Sequence, residues 1–242
     1  MHEVAVKRAI AMDQTMPLDR RSARTRRALR DALASEISST GDLSQVTVTA
    51  VTDRAGVTRR TFYSHFRGIA DLVSQVEDET ILELRPLVRG LSEVTLDKLE
   101  EAIDEGGACP GSTDILEYFK LRSSYLSALL GNGGDPSFAR SIERMVREEV
   151  TERALNGLDL HALGAFFDYY LTYAVSAEVG VLVRWLTTGA CESVDIMARL
   201  MTGLMFVRPG DLYGKQIDFD VPSFGIALLA SLDAKHKETD HD

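Results

Sequence analysis

The chain has 242 residues, 45% of them hydrophobic and 26% charged, with a formal net charge of -10; this is the balance of a folded globular protein and excludes an intrinsically disordered one. Its two cysteines, Cys109 and Cys191, lie far apart without CxxC or histidine-rich company, so neither a zinc site nor a disulfide framework is expected, and a reducing compartment is. The longest runs free of Asp, Glu, Lys and Arg, 123–134 and 221–232, are too short to span a bilayer, and the first seventeen residues lack the sustained apolar core of a secretory signal; a cytoplasmic protein without a membrane span is expected.

Residues 1–18, with Met12 and Met16 as further candidate starts, are expected to form a variable arm. From Ser22 to Ser39, Ala28, Leu29, Ala32, Leu33 and Ile37 recur at helical spacing, and Arg20, Arg21, Arg24, Arg26, Arg27 and Arg30 crowd the start. Gly41 breaks this amphipathic pattern. Thr47 can cap a second short helix whose inner face is Val48, Val51 and Ala55; Gly56 can take the positive φ of a tight turn. Thr58 can cap a third helix, Arg59 to His65, with Phe62 and Phe66 one turn apart on its apolar side. A long fourth helix opens at Ile69 and runs through Leu72, Val73, Val76, Ile81 and Leu84 to a stop near Pro86.

Segments 91–105 and 113–130 read as helices separated by the loop "GGACPGS", and "GNGGDPS" at 131–137 is a second loop. Phe138 to Leu155 is a charged amphipathic helix with Ile142, Met145, Val146 and Val150 inward. Ala162–Leu186 and Val194–Val207 are apolar around most of their circumference and must be buried on more than one side; the short loop "TTGACES" makes them antiparallel neighbours. Residues 209–242 read as a C-terminal extension with a short apolar patch, 224–232, and a polar end. No strand alternation and no internal repeat occurs, so the fold class is all-α.

Charge is divided unevenly. Residues 1–68 hold 12 Lys or Arg against 7 Asp or Glu, and residues 69–242 hold 15 against 30. Small segments differ in charge by chance, but a basic front on an acidic body also suits a protein that meets a polyanion with one end. In a helix-turn-helix the second helix enters the major groove while the first crosses the backbone. Arg59 and Arg60 offer forked donors for guanine or phosphate, Thr58, Thr61 and Ser64 offer hydroxyls, and Tyr63 and His65 can reach phosphates. "RRTFYSHF" alone reads equally well as an exposed polar helix; the order of capped helix, glycine turn, capped helix and long connector favours DNA.

The stretch "TVTAVTDRAGVTRRTFYSHF", Thr47 to Phe66, resembles the helix-turn-helix of the TetR family of bacterial transcription regulators, and "VLVRWLTTGACES", 181–193, is similar to a run before the last helix of many members. The resemblance implies an N-terminal three-helix DNA-binding domain at 19–68 and a larger helical ligand-binding and dimerisation domain at 69–208. It implies Thr47 near a phosphate, Arg59, Arg60 and Thr61 near bases, and Tyr63 and His65 on phosphates. The sequence departs from the family pattern at Thr52, where a small apolar residue is usual, at Arg67 and Gly68, and at Ile69 and Ala70, where a common Lys-Glu pair is lost together with a phosphate donor.

Selective reading of DNA calls for two half-sites and hence a symmetric dimer. Ala174, Ala177 and Gly180 permit close helix approach, and Val181, Leu182, Trp185, Leu200, Met201 and Leu204 can fill a bundle seam between two chains or pack as the core of one. Tyr118, Arg122 and Tyr125 on one helical stripe, and Phe166, Tyr170 and Tyr173 on another, can line an aromatic effector cavity or be plain core. The expectation is a dimeric repressor that binds a palindromic operator in double-stranded DNA and is released by a small-molecule effector. The alternative is a protein-interaction adaptor or coactivator that keeps the fold without autonomous DNA binding. No nucleophile motif, metal-ligand spacing or glycine-rich phosphate loop points to an enzyme, a metal or a cofactor; His2, His65, His161, His236 and His241 are scattered.

Overall fold

Helix α1, Pro17–Thr40, ends at Gly41, whose φ of 72° is the left-handed value that stops a helix. A 3-10 turn at Leu43–Gln45 leads to α2, Val48–Ala55, and α3, Arg59–Tyr63; then come α4, Ile69–Ser92, α5, Leu96–Asp104, α6, Ser112–Leu121, α7, Ser123–Leu130, α8, Pro136–Leu155, α9, Leu160–Thr187, and α10, Val194–Leu204. The computed structural model describes residues 17–155, 160–205, 214 and 223–227, the last a short helical stretch. The fold is all-α, with no strand among the described residues. Of the expected arm, residues 1–18, residues 1–16 lie outside them, while Pro17 and Leu18 open α1; most of the expected C-terminal extension also lies outside.

Two expected boundaries are corrected. The fourth helix does not stop near Pro86 but continues six residues to Ser92. Pro86 is on the exposed side of α4 beside Leu82, so the carbonyl left without an N–H partner can bond to water, and the turns beyond the proline are held from the side by α8. The segment 113–130 is two helices, broken at Arg122, whose φ and ψ of -111° and 8° leave the helical region. Its guanidinium lies 3.9 Å over the Tyr118 ring and pairs with Glu83 of α4 at 3.0 Å, so the residue at the break is tied both to its own helix and to a neighbour.

α1 packs on α2 through one flank and on α7 through another, so Leu29, Leu33 and Ile37, all essentially inaccessible, belong to one core shared by the front helices and the rest. α4 lies on α6 and α8, α9 on α7 and α8, and α10 on α6. Two polar contacts pin this arrangement. Glu149 of α8, 3% exposed, accepts from Arg85 Nη1 at 2.7 Å and from Arg89 Nε at 2.9 Å, both on α4. The Leu43 N–H, just beyond α1, donates to the Gly133 carbonyl in the α7–α8 loop at 2.7 Å. A Cβ at Gly133 would stand 2.7 Å from the Gly41 carbonyl carbon, so only glycine fits where the two loops meet.

Candidate nucleic-acid interface

The local signals in residues 47–66 are realised atom by atom. Thr47 Oγ1 accepts from the Ala50 N–H at 3.2 Å and Thr58 Oγ1 from the Thr61 N–H at 3.1 Å, each satisfying a donor that the first turn leaves open. Gly56 closes α2 at φ 64°. Phe62 and Phe66, 0% and 3% exposed, turn inward, and with Val51 they fix α3 against α1 and α2. Thr52, the departure from the family pattern, is buried with its hydroxyl donating to the Thr49 carbonyl at 3.0 Å, so the extra oxygen is satisfied locally.

Burial on one face leaves the other free. Arg59, Arg60, Tyr63 and Ser64 are exposed, and Thr61 and His65 are half-buried. The two arginines differ: Arg59 Nη2 turns back to donate to Thr49 Oγ1 on α2 at 2.6 Å, whereas Arg60 makes no such contact among the described residues. Ser64 spends its hydroxyl on the Thr61 carbonyl at 2.6 Å, and the Tyr63 ring stands edge-on to Phe62 with its far end in solvent. α3 is shorter than expected, ending at Tyr63 rather than His65. Arg54, at the end of α2, is held by Glu36 and by Ser35 of α1 and is a structural residue.

The segment after Phe66 is also built. Gly68 precedes α4 in an extended conformation without a side chain to cap it, and Asp71, in the first turn, accepts from the Arg67 N–H at 2.7 Å. That backbone bond, helped by Gln75 and by the charges of Arg67 and Arg26, holds the Asp71 carboxyl below its ordinary range. The sequence pattern assigns no role to Thr49 or Asp71; an acidic residue in the first turn is a signal that points to Asp71, and nothing local marks Thr49.

A sequence profile described as "Bacterial regulatory proteins, tetR family" matches residues 32–76, and one described as "Transcriptional regulator C-terminal region" matches residues 109–206. The chain belongs to the TetR family of bacterial transcription regulators. An HTH-type transcriptional regulator of Haemophilus influenzae is 28% identical over 198 residues, covering 77% of this chain and 90% of that one. Among solved structures, a TetR transcriptional regulator from Streptococcus agalactiae is 21% identical with a TM-score of 0.46, covering 77% of this chain and 96% of its own. The dihydroxyacetone kinase operon activator DhaS is 16% identical with a TM-score of 0.47, covering 75% and 93%.

In this TetR-family regulator the residues expected at a seam between two chains divide. Leu182 and Trp185, 6% and 3% exposed, are corrected to the protomer's own core, where Lys120 lies 5.7 Å from the Trp185 ring; they are inaccessible to a second chain. Val181 and Met201 are half-buried, and Leu200 and Leu204 face outward at 48% and 40%. The outward face of α9 carries Tyr169, Tyr173, Ala177 and Gly180 at helical spacing, and that of α10 carries Ile196, so apolar and small residues face outward on both helices; α10 packs on α6 rather than along α9, against the expectation of antiparallel neighbours. A Cβ at Gly180 or Gly203 would meet nothing within 4 Å.

The aromatic stripes also divide. Tyr118 and Tyr125 are buried, with Arg122 on the first ring and Arg30 of α1 4.1 Å from the second. Tyr118 Oη has no hydrogen-bond partner among the described residues, and burial, with Glu83 nearby, pushes its phenol far above the usual range. Tyr170 and Tyr173 point to solvent at 52% and 73% and Phe166 is half-buried, so the cavity expected from both stripes together is not enclosed by them. A cleft of about 440 Å³ opens elsewhere, where Ile37 and Gly41 at the end of α1 meet Leu130, Gly133, Val183 and Leu186. No helix among the described residues is long and apolar enough to cross a membrane.

Proposed function

We propose that this regulator is a dimeric repressor that reads a palindromic operator with residues Arg59–Phe66 and releases it when a small-molecule effector binds the larger helical part. The observation that carries the DNA reading is the two-sidedness of α3, which buries Phe62 and Phe66 and presents Arg60 and Tyr63 beside a Thr58-capped N-terminus. Helix N-termini attract phosphate, and an arginine beside one can fork onto guanine. Residues 19–68 form the DNA-binding domain in this proposal and 69–208 the regulatory domain. Dimerisation is supported by the outward face of α9 and α10, where Tyr173, Ile196, Leu200 and Leu204 would otherwise stay wet. An effector site is supported by the unpartnered Tyr118 hydroxyl beside Arg122 and Tyr125. The adaptor alternative draws on the departures after Phe66, and the Asp71 bond to the Arg67 N–H gives that segment an ordinary helix start.

The test is titration of DNA from the protein's own promoter region against a scrambled duplex at fixed salt. Arg60→Ala is expected to cost about 1–3 kcal/mol and to relax selectivity at one position, as removal of a base-reading arginine does. Arg59→Ala, whose guanidinium is shared with Thr49, is expected to weaken binding to both duplexes alike. Equal, sequence-blind binding by the wild type and both variants would overturn the reading.

A further inference from the structure

The positive charge of the front helices is not where the base-reading residues are. Residues 31–68, which hold the whole helix-turn-helix, carry four basic residues, Arg54, Arg59, Arg60 and Arg67, against four acidic ones. Residues 17–30 carry six arginines against Asp19. The first turns of α1 therefore account for the excess, and those turns are unusual in another way. Among the described side chains of α1, Leu29 is the first buried one; residues 20–28 are exposed or half-buried.

The six arginines have two destinations. Arg26 pairs with Glu79 of α4 and lies 5.4 Å over the Phe66 ring at the end of the recognition segment, while Arg30 is stacked on Tyr125. These inner two fasten α1 to its neighbours. Arg20, Arg21, Arg24 and Arg27 are exposed, and Arg27 approaches Asp31 only loosely, at 3.9 Å. Arg20 and Arg24 stand at i and i+4, and Arg21 and Arg24 at i and i+3, so these three form one stripe on a side of the helix. Anchored at Arg26 beside Phe66, the helix extends a further nine residues to Pro17, about 13 Å at helical rise. That is the scale of several phosphates along a duplex.

We infer that the N-terminal turns of α1 are a second DNA-contacting element, in which Arg20, Arg21 and Arg24 neutralise backbone phosphates flanking the bases read by α3. This rests on the proposed DNA reading and adds to it a division of labour: α3 selects, and the arginine stripe supplies the salt-dependent attraction that a neutral helix-turn-helix lacks. A protein that neutralises phosphates releases counterions, so its affinity falls with salt in proportion to the number of phosphates it neutralises.

The experiment uses the full chain with Arg20→Gln, Arg21→Gln and Arg24→Gln combined, since glutamine keeps helix propensity close to that of arginine. Binding to promoter and scrambled duplexes is followed by fluorescence anisotropy from low to high salt. The slope of log affinity against log salt is expected to become shallower by about 0.9 for each phosphate no longer neutralised, about 2.7 for three per protomer, on both duplexes. The ratio of promoter to scrambled affinity and the thermal midpoint are expected to stay unchanged. An unchanged slope overturns the inference. So does an equal change in Arg140→Gln combined with Arg144→Gln, exposed arginines on α8 whose removal reports only the overall field. If the wild type fails to prefer its promoter yet the triple variant still flattens the slope on both duplexes, the operator reading fails and the arginine–phosphate inference stands.

Discussion

Glu149 tests whether α4 is held in place by α8 or merely lies against it. Replacing it by glutamine keeps the volume and removes the charge from a carboxylate that is 3% exposed. Its oxygens accept three charge-assisted bonds, from Arg85 Nη1 at 2.7 Å, Arg89 Nε at 2.9 Å and Arg89 Nη2 at 3.3 Å. Breaking a fully buried pair costs about 3–5 kcal/mol. Here the arginine side chains are 37% and 56% exposed, so water takes back part of each guanidinium, and about 2–3 kcal/mol is expected for Glu149→Gln. Urea unfolding at pH 7 measures this. The pH dependence gives a second reading with a fixed sign. The Arg89 hydrogen bonds, and then those of Arg85, hold the Glu149 carboxyl below its ordinary range against the opposing effect of burial. A carboxylate whose folded pKa is depressed stabilises fully above its unfolded value and loses that contribution as pH falls through the folded one. The gap between wild type and variant should therefore be full at pH 7 and narrow below about pH 4. A variant within about 0.5 kcal/mol of wild type at pH 7, the range of an ordinary surface change, would refute the clamp.

The sign reverses at Glu77 on α4, whose carboxyl is pushed up to about 7 by burial and by the charges of Asp135 and Asp78, with Oε1 buried and unpartnered; its contribution is lost as pH rises toward 7, so Glu77→Gln should be more stable than wild type by about 1–2 kcal/mol at pH 8 and not at pH 4.5. At the proposed seam, Leu200→Glu should give monomers in sedimentation while keeping its thermal midpoint, whereas Trp185→Glu should lose several kcal/mol of stability because it buries a charge; dimers of Leu200→Glu would move the interface elsewhere. Gly133→Ala should cost about 1–3 kcal/mol in urea unfolding, since its Cβ forces the Leu43–Gly133 bond open, while Gly90→Ala on the open side of α4 should cost nothing; equal effects would show that the two loops do not need their close approach.

What the sequence made legible was local. Thr47, Gly56 and Thr58 act within a few residues of their own position, so caps and turn could be read without knowing what lies across the fold. The break at Arg122 carries no glycine or proline, and the residue there pairs with Glu83, far back along the chain on α4. Pro86 is a local stop signal overruled by the side-on grip of Glu149 on Arg89. α9 is apolar nearly all round, and for such a helix periodicity says that more than one face is covered but not by what; the structure gives Leu182 and Trp185 to the protomer and leaves Tyr169 and Tyr173 outside. Arg59 and Arg60 are indistinguishable as letters, and only the reach to Thr49 separates them.

The same distant contacts bear on how an effector could be felt at the DNA. A front unit joined to the body by α4 alone would respond only to tilting of that helix. Here α1 is a second connection: it packs on α7, its Arg30 lies on the Tyr125 ring, and the chain just past it bonds to Gly133. Tyr118, Arg122 and Tyr125 therefore sit between the two connections, with Arg122 paired to Glu83 on α4 and Tyr125 stacked under Arg30 of α1. In the proposed release, a ligand that engages the Tyr118 hydroxyl or draws Arg122 from Glu83 alters the support of both helices at once. Coupling of about 1–3 kcal/mol, the usual range between two sites, is no more than one or two such interactions are worth. Because α1 also carries the arginine stripe, displacing it would weaken phosphate attraction and base reading together, so the effector should lower affinity for scrambled DNA as well as for the promoter, and for the promoter more.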